Sequence, residues 1–178
     1  MKSHGELTAN IAQKISQDWE KRGYKVFYDH DPSNENVGKI VSAIKKKYRR
    51  EDELSQIDIA IVEKSSDKVF TLIEIEETTD KPKTFLGDIF GVLFGEYICF
   101  KRKELHVDNF TTLIVVGVNK TNHKDRNENI LEQVNRVKTS LGTQNARIGK
   151  VVIKTYADGT ELIAQLPFVL DGAIKGEL

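Results

Sequence analysis

At 178 residues the chain is long enough to bury one substantial hydrophobic core and too short to need two. Charged residues make up 30% of it and cancel to a formal net charge of +0, which excludes global attraction to a polyanion and leaves any nucleic-acid surface to be local. The single cysteine, Cys99, excludes an internal disulfide, and the most apolar stretch, residues 85–100, is broken by Asp88 and Glu96 and falls short of the roughly 20 residues a membrane span needs. From the first residues onward, Ser3 followed by Glu6 has the pattern of a capping box. Leu7, Ile11, Ile15 and Trp19 then recur at helical spacing, predicting a helix that ends near Gly23. Residues 24–28 predict a short strand, and the turn formers of 29–34 a polar loop. Residues 37–50 have helical character, with Ile40, Val41 and Ile44 on one side and cations on the other. Residues 57–62 form a strand by their β-branched content, Ser65, Ser66 and Asp67 make a turn, and 69–76 return as the antiparallel partner.

Residues 82–97 predict a helix carrying Gly87, Gly91 and Gly95 on one face, a face suited either to close packing on the sheet or to a two-fold dimer contact. Residues 112–118 are a buried strand, 126–141 an amphipathic helix and 151–156 a last core strand, while 161–170 fit a helix or a strand equally. Apart from the helical stretch over 37–50, the order is helix, three strands, helix, strand, helix, strand. The expectation is one α/β domain over residues 1–178, in a reducing cytoplasm, with no signal peptide and no membrane role.

The main chemical signal is Ile73-Glu74-Ile75-Glu76, in a strand that otherwise belongs to the core. Side chains alternate along a strand, so Glu74 and Glu76 share a face about 7 Å apart. Crowded carboxylates need a proton or a cation to compensate them, and a divalent metal answers that need, with Asp58 on the neighbouring strand completing the cluster. The histidines (His4, His30, His106 and His123) have no paired cysteines and no zinc-binding spacing, so zinc is not expected.

Asp58, a hairpin, then Glu74-Ile75-Glu76 resembles the Asp…(D/E)-x-K signature of the PD-(D/E)XK nucleases, and the order of elements over residues 3–156 resembles that family's αβββαβ core. The resemblance implies a restriction-endonuclease-like fold, a central mixed sheet of about five strands flanked by helices. It also implies Mg²⁺- or Mn²⁺-dependent hydrolysis of DNA phosphodiesters, of restriction, repair or junction-resolving type. Asp58 and Glu74 would then be metal ligands, joined by the carbonyl of Ile75. Glu76 stands where most members have Lys. As a carboxylate it could serve as general base or hold a second metal, and Lys81 and Lys83 just beyond could supply the missing cation. Glu6 matches an additional acidic residue of resolvase-like members, beside its local reading as half of the capping box.

Lys45, Lys46, Lys47, Arg49 and Arg50 form the densest basic run, read either as phosphate contacts or as a solvated face balanced by Glu51, Asp52 and Glu53. Two other functional classes stay open: a nuclease-fold module without catalysis that binds nucleic acid or protein, and a ribonuclease.

Overall fold

The structure, a computed structural model, describes residues 4–29, 35–77, 82–118, 124–141 and 147–175. In chain order the elements are α1 (His4–Trp19), β1 (Tyr24–Tyr28), β2 (Ile40–Ala43), β3 (Glu53–Ile57), β4 (Ile59–Glu63), β5 (Val69–Glu76) and α2 (Pro82–Leu93). They continue with β6 (Tyr97–Phe100), β7 (Lys103–Leu105), β8 (Thr112–Val118), α3 (Lys124–Leu141), β9 (Lys150–Tyr156) and α4 (Gly159–Lys175).

The main sheet has five strands in the order β1-β4-β5-β8-β9. β1, β4 and β5 run antiparallel, whereas β8 and β9 run parallel to β5, so the sheet is mixed as expected. Helices cover both faces. Leu7, Ile11, Ile15 and Trp19 of α1 join Leu162, Leu166 and Leu170 of α4 on the face made by Ile59, Ile61, Ile73, Ile75, Ile114 and Val116. Phe85, Ile89 and Val92 of α2 join Ile130 and Val134 of α3 on the face made by Ala60, Val62, Leu72, Leu113 and Val115. Burying each such aliphatic side chain contributes about 1.5–3 kcal/mol, and each helix is held by one apolar stripe.

After α1 the chain turns through Gly23 at φ +92, a left-handed conformation that glycine adopts without a Cβ clash. Ser3 of the expected capping box lies outside the described residues, as does most of the expected loop over 29–34. The segment that fitted two periodicities is the helix α4: the Asp158 carboxylate accepts the amides of Thr160 at 2.8 Å and Glu161 at 2.9 Å, capping its first turn.

The helix expected over 37–50 is not formed. Ile40, Val41, Ser42 and Ala43 are instead β2, fully buried, one of the two inner strands of a second sheet ordered β3-β2-β6-β7. Apolar residues at 40, 41 and 44 suit a helix locally, but β2 gains partners on both sides, β3 and β6, and pairing across the fold overrides local periodicity. The cations beyond it occupy turns and a single 3-10 turn at Arg50–Asp52. Likewise the helix expected over 82–97 stops at Leu93, and Tyr97–Phe100 leaves it as β6. The β6–β7 hairpin turns at Lys101 and Arg102, both at positive φ (47 and 68), and Lys101, Arg102 and Lys103 are exposed at this turn.

Candidate functional site

Side-chain alternation along the central strand divides its residues between the two faces of the main sheet. Ile73 and Ile75 point to the α1 and α4 side, and Leu72, hence Glu74 and Glu76, to the α2 side. Antiparallel register pairs Ile59 with Ile73, and one step further sets Asp58 opposite Glu74. Asp58 is the single residue between β3 and β4, a bend at which the chain leaves the small sheet and enters the main one. Asp58 therefore occupies the corner between the sheets, on the same side as Glu74. These acids also lie toward the end of β5 that lines up with the carboxyl ends of the parallel strands β8 and β9.

Glu74 is 5% exposed. Its Oε1 accepts a hydrogen bond from Ser55 Oγ of β3 at 3.2 Å. Burial above all, then the charges of Asp58 and Asp88, push its carboxyl well above the usual carboxylate range, against the downward pull of Ser55 and of the Asp58 backbone. Asp58 is held by its own neighbour: the Ile75 amide donates to its Oδ2 at 2.7 Å. Asp88, projecting from α2, is pushed up to about 6, first by burial and then by Glu76 and Asp58. Each of these shifts has the same physical origin, namely negative charge gathered where water is scarce.

The acids expected from the sequence, Asp58, Glu74 and Glu76, thus fall within one electrostatically coupled group. Ile75 enters it through its amide. Glu6 is exposed on α1, the helix that packs on the opposite face, and is not among the groups that shift Glu74. Lys83 is exposed in the first turn of α2, and Lys81 lies outside the described residues.

The basic run starts past Ala43, the end of β2 remote from the Ile40–Ile57 pair beside the corner. Three of its cations already face carboxylates: Lys45 with Asp52 at 2.7 Å, Lys46 with Glu104 at 2.6 Å and Arg49 with Glu51 at 3.9 Å. Lys47 and Arg50 are exposed beside them. Asp52 is 4% exposed, and its hydrogen bonds from Lys45 and the Arg49 amide hold its carboxyl below the usual range. The run is built into the small sheet's surface more than it is aimed at the acids.

Two members of the site were not anticipated. Asp88 follows Phe85 by one helical turn and precedes Ile89, so it interrupts the stripe by which α2 faces the sheet, a signal legible in the sequence once the helix is drawn. Ser55 carried no such signal, because it reaches Glu74 only through the fold of β3. Among the described residues no three His, Cys, Asp or Glu side chains already converge as a set of metal ligands. Compared with known proteins, the chain matches no family model, no curated protein and no solved structure.

Proposed function

We propose that the chain hydrolyses phosphodiester bonds in DNA with the help of Mg²⁺ or Mn²⁺, as an E-x-E variant of the PD-(D/E)XK nucleases with their restriction-endonuclease-like core. The observation that carries this reading is Glu74: a carboxylate 5% exposed, in a core strand, with Asp58 and Asp88 close enough to oppose its ionisation. A fold keeps so unfavourable a group where function requires it. The donors fit a hard divalent cation, since Asp58, Glu74 and the Ile75 carbonyl offer oxygen only and Asp88 adds another carboxylate. When bound, such an ion would polarise the phosphate and acidify a water near it.

The residues of the chain supply the rest. The Ile75 amide orients the Asp58 carboxylate, and the Ser55 hydroxyl fixes one oxygen of Glu74, so both ligands have their rotamers set by neighbours. Glu76, half-buried at the end of β5, accepts the proton of the attacking water on its carboxylate, the role usually assisted by Lys in this family. DNA is the proposed partner and RNA the alternative substrate, because the same chemistry acts on either backbone.

Purified protein is incubated with plasmid, branched and single-stranded DNA, and with RNA, in Mg²⁺ or Mn²⁺. Cleavage of one class, lost in Asp58→Ala, is expected; equal products from wild type and variant on every substrate would end the hydrolytic reading. A second reading, a binding module without catalysis, draws on Asp88: a carboxyl near 6 lets the cluster relieve its repulsion by holding a proton in place of a metal. Calorimetry separates the two, since the nuclease binds Mn²⁺ in a manner abolished by Glu74→Gln and the module does not.

A further inference from the structure

We propose that Arg126, with the amide of Asn127, forms an anion-binding pole facing the acidic cluster and holds a non-bridging oxygen of a nucleic-acid phosphate. This deepens, and rests on, the phosphodiesterase reading above. The residue after the usual metal ligands is Glu76, not Lys, so a cation must come from elsewhere in the fold. Lys81 and Lys83 were the candidates in the sequence; the geometry points to α3.

The guanidinium carbon of Arg126 stands 5.5 Å from the ring centroid of Phe85, a fully buried residue of α2. That ring occupies the space left by Gly117, where a Cβ would come within 2.7 Å of Phe85 Cζ. Gly117 is the register partner of Glu76, and Asp88 lies one helical turn beyond Phe85. Arg126 is therefore seated over the ring that fills the space at Gly117, on the face of the sheet that carries Glu76.

Its neighbour Asn127 is 9% exposed and donates from Nδ2 to Thr155 Oγ1, on the strand adjoining Gly117. The Oδ1 of Asn127 makes no hydrogen bond among the described residues. A hydroxyl both donates and accepts, so the amide can turn over, keep Thr155 and present its NH₂ to an anion. In a half-buried arginine, a guanidinium held over an aromatic ring is positioned and weakly hydrated, and its planar fork matches two phosphate oxygens. The cleft is then bipolar, with carboxylates for a cation at one side and Arg126 for the phosphate at the other. As a group touching the substrate, Arg126 would be catalytic by neutralising charge that grows on the phosphate oxygens.

The test uses the full chain and two readouts. Binding of a fluorescein-labelled DNA duplex is followed by anisotropy against salt in Ca²⁺, and cleavage is measured in Mn²⁺. Arg126→Gln is expected to lower the slope of log K on log salt by about 0.9, as for one lost phosphate contact, and to slow cleavage about 100-fold. Arg126→Lys is expected to restore the slope and only part of the rate. Wild-type slope and rate in Arg126→Gln would overturn the proposal while leaving the nuclease reading intact.

A wild type that binds the duplex with an Arg126-dependent slope yet cuts nothing would overturn the nuclease reading and keep the anion pole. A wild type that binds no duplex and cuts none of the DNA or RNA substrates overturns both. Should Arg126→Gln fail to fold, phenylglyoxal modification of Arg126 in the wild type, mapped by mass spectrometry, decides: the duplex slows it if the contact exists, and unchanged modification overturns it.

Discussion

At the scale of single residues, the candidate site lowers the stability of the fold that holds it. Glu74 keeps a carboxylate in the core against burial and two like charges, so replacing it with a neutral isostere removes repulsion and retains shape. Glu74→Gln is expected to raise the melting temperature of the metal-free protein by a few degrees, a gain of about 1–2 kcal/mol, while abolishing Mn²⁺ binding by calorimetry. A lower melting temperature with Mn²⁺ binding retained would show that Glu74 is a structural acid. Asp88 carries a pH signature.

Its carboxyl titrates at 3.8 in an unfolded reference and at about 6 in the fold, so the unfolded chain loses that proton first. Folding is penalised increasingly as the pH rises above 3.8, and the penalty is complete once the pH passes about 6. Asp88→Asn therefore stabilises the protein near pH 8 by about 1 kcal/mol, discounted for its partial exposure. The advantage shrinks toward nothing as the pH falls to about 4. Thermal melts of both proteins across that range check it, and a pH-independent difference would contradict the linkage.

At the scale of elements, α2 shows how one sequence pattern divides into different structural roles. Gly87, Gly91 and Gly95 repeat every fourth residue, yet only two of them are used for close approach. A Cβ on Gly91 would meet Ser55 Cβ at 2.6 Å, and one on Gly95 would meet Ser42 Oγ at 1.8 Å, whereas one on Gly87 would meet nothing within 4 Å. The approach is to β2 and β3 of the small sheet, and Ser42 seals it by donating to the Gly91 carbonyl at 2.7 Å.

Gly95→Ala is accordingly expected to cost about 2 kcal/mol by overpacking, and Gly87→Ala to add about 0.5–1 kcal/mol through lost unfolded-state freedom. Urea titrations measure both, and changes of equal sign would refute the division. Periodicity made the face visible in the sequence. It could not say which glycine meets a neighbour, because β2 and β3 are brought there by pairings remote in the chain.

At the scale of the whole molecule, the two sheets share a core. Phe27 of β1 and Phe100 of β6 stack with centroids 4.1 Å apart, and Ile40, Ile57, Ile98 and Leu105 of the small sheet belong to the same cluster as Leu72 and Leu113 of the main one. Phe100→Ala is expected to lower stability by about 3 kcal/mol and to shift circular dichroism and Trp19 fluorescence to the same lower urea midpoint, since Trp19 lies in the cluster on the far face. A lag of the Trp19 signal behind circular dichroism would mean that the small sheet unfolds separately.

Strands and helices whose own residues alternate or recur at 3.6 were legible in the sequence alone: α1, β1, the β4–β5 hairpin, β8, α3 and β9. So was the placing of Asp58, Glu74 and Glu76 on one side, because strand alternation and hairpin register are local properties. The small sheet was not legible, since β2, β3, β6 and β7 are short and take their identity from partners distant in the chain. For the same reason only the tertiary structure brought Ser55 and Asp88 to the acids. Their neighbourhood is set by how helices and a second sheet pack on β5, which no spacing within the chain encodes.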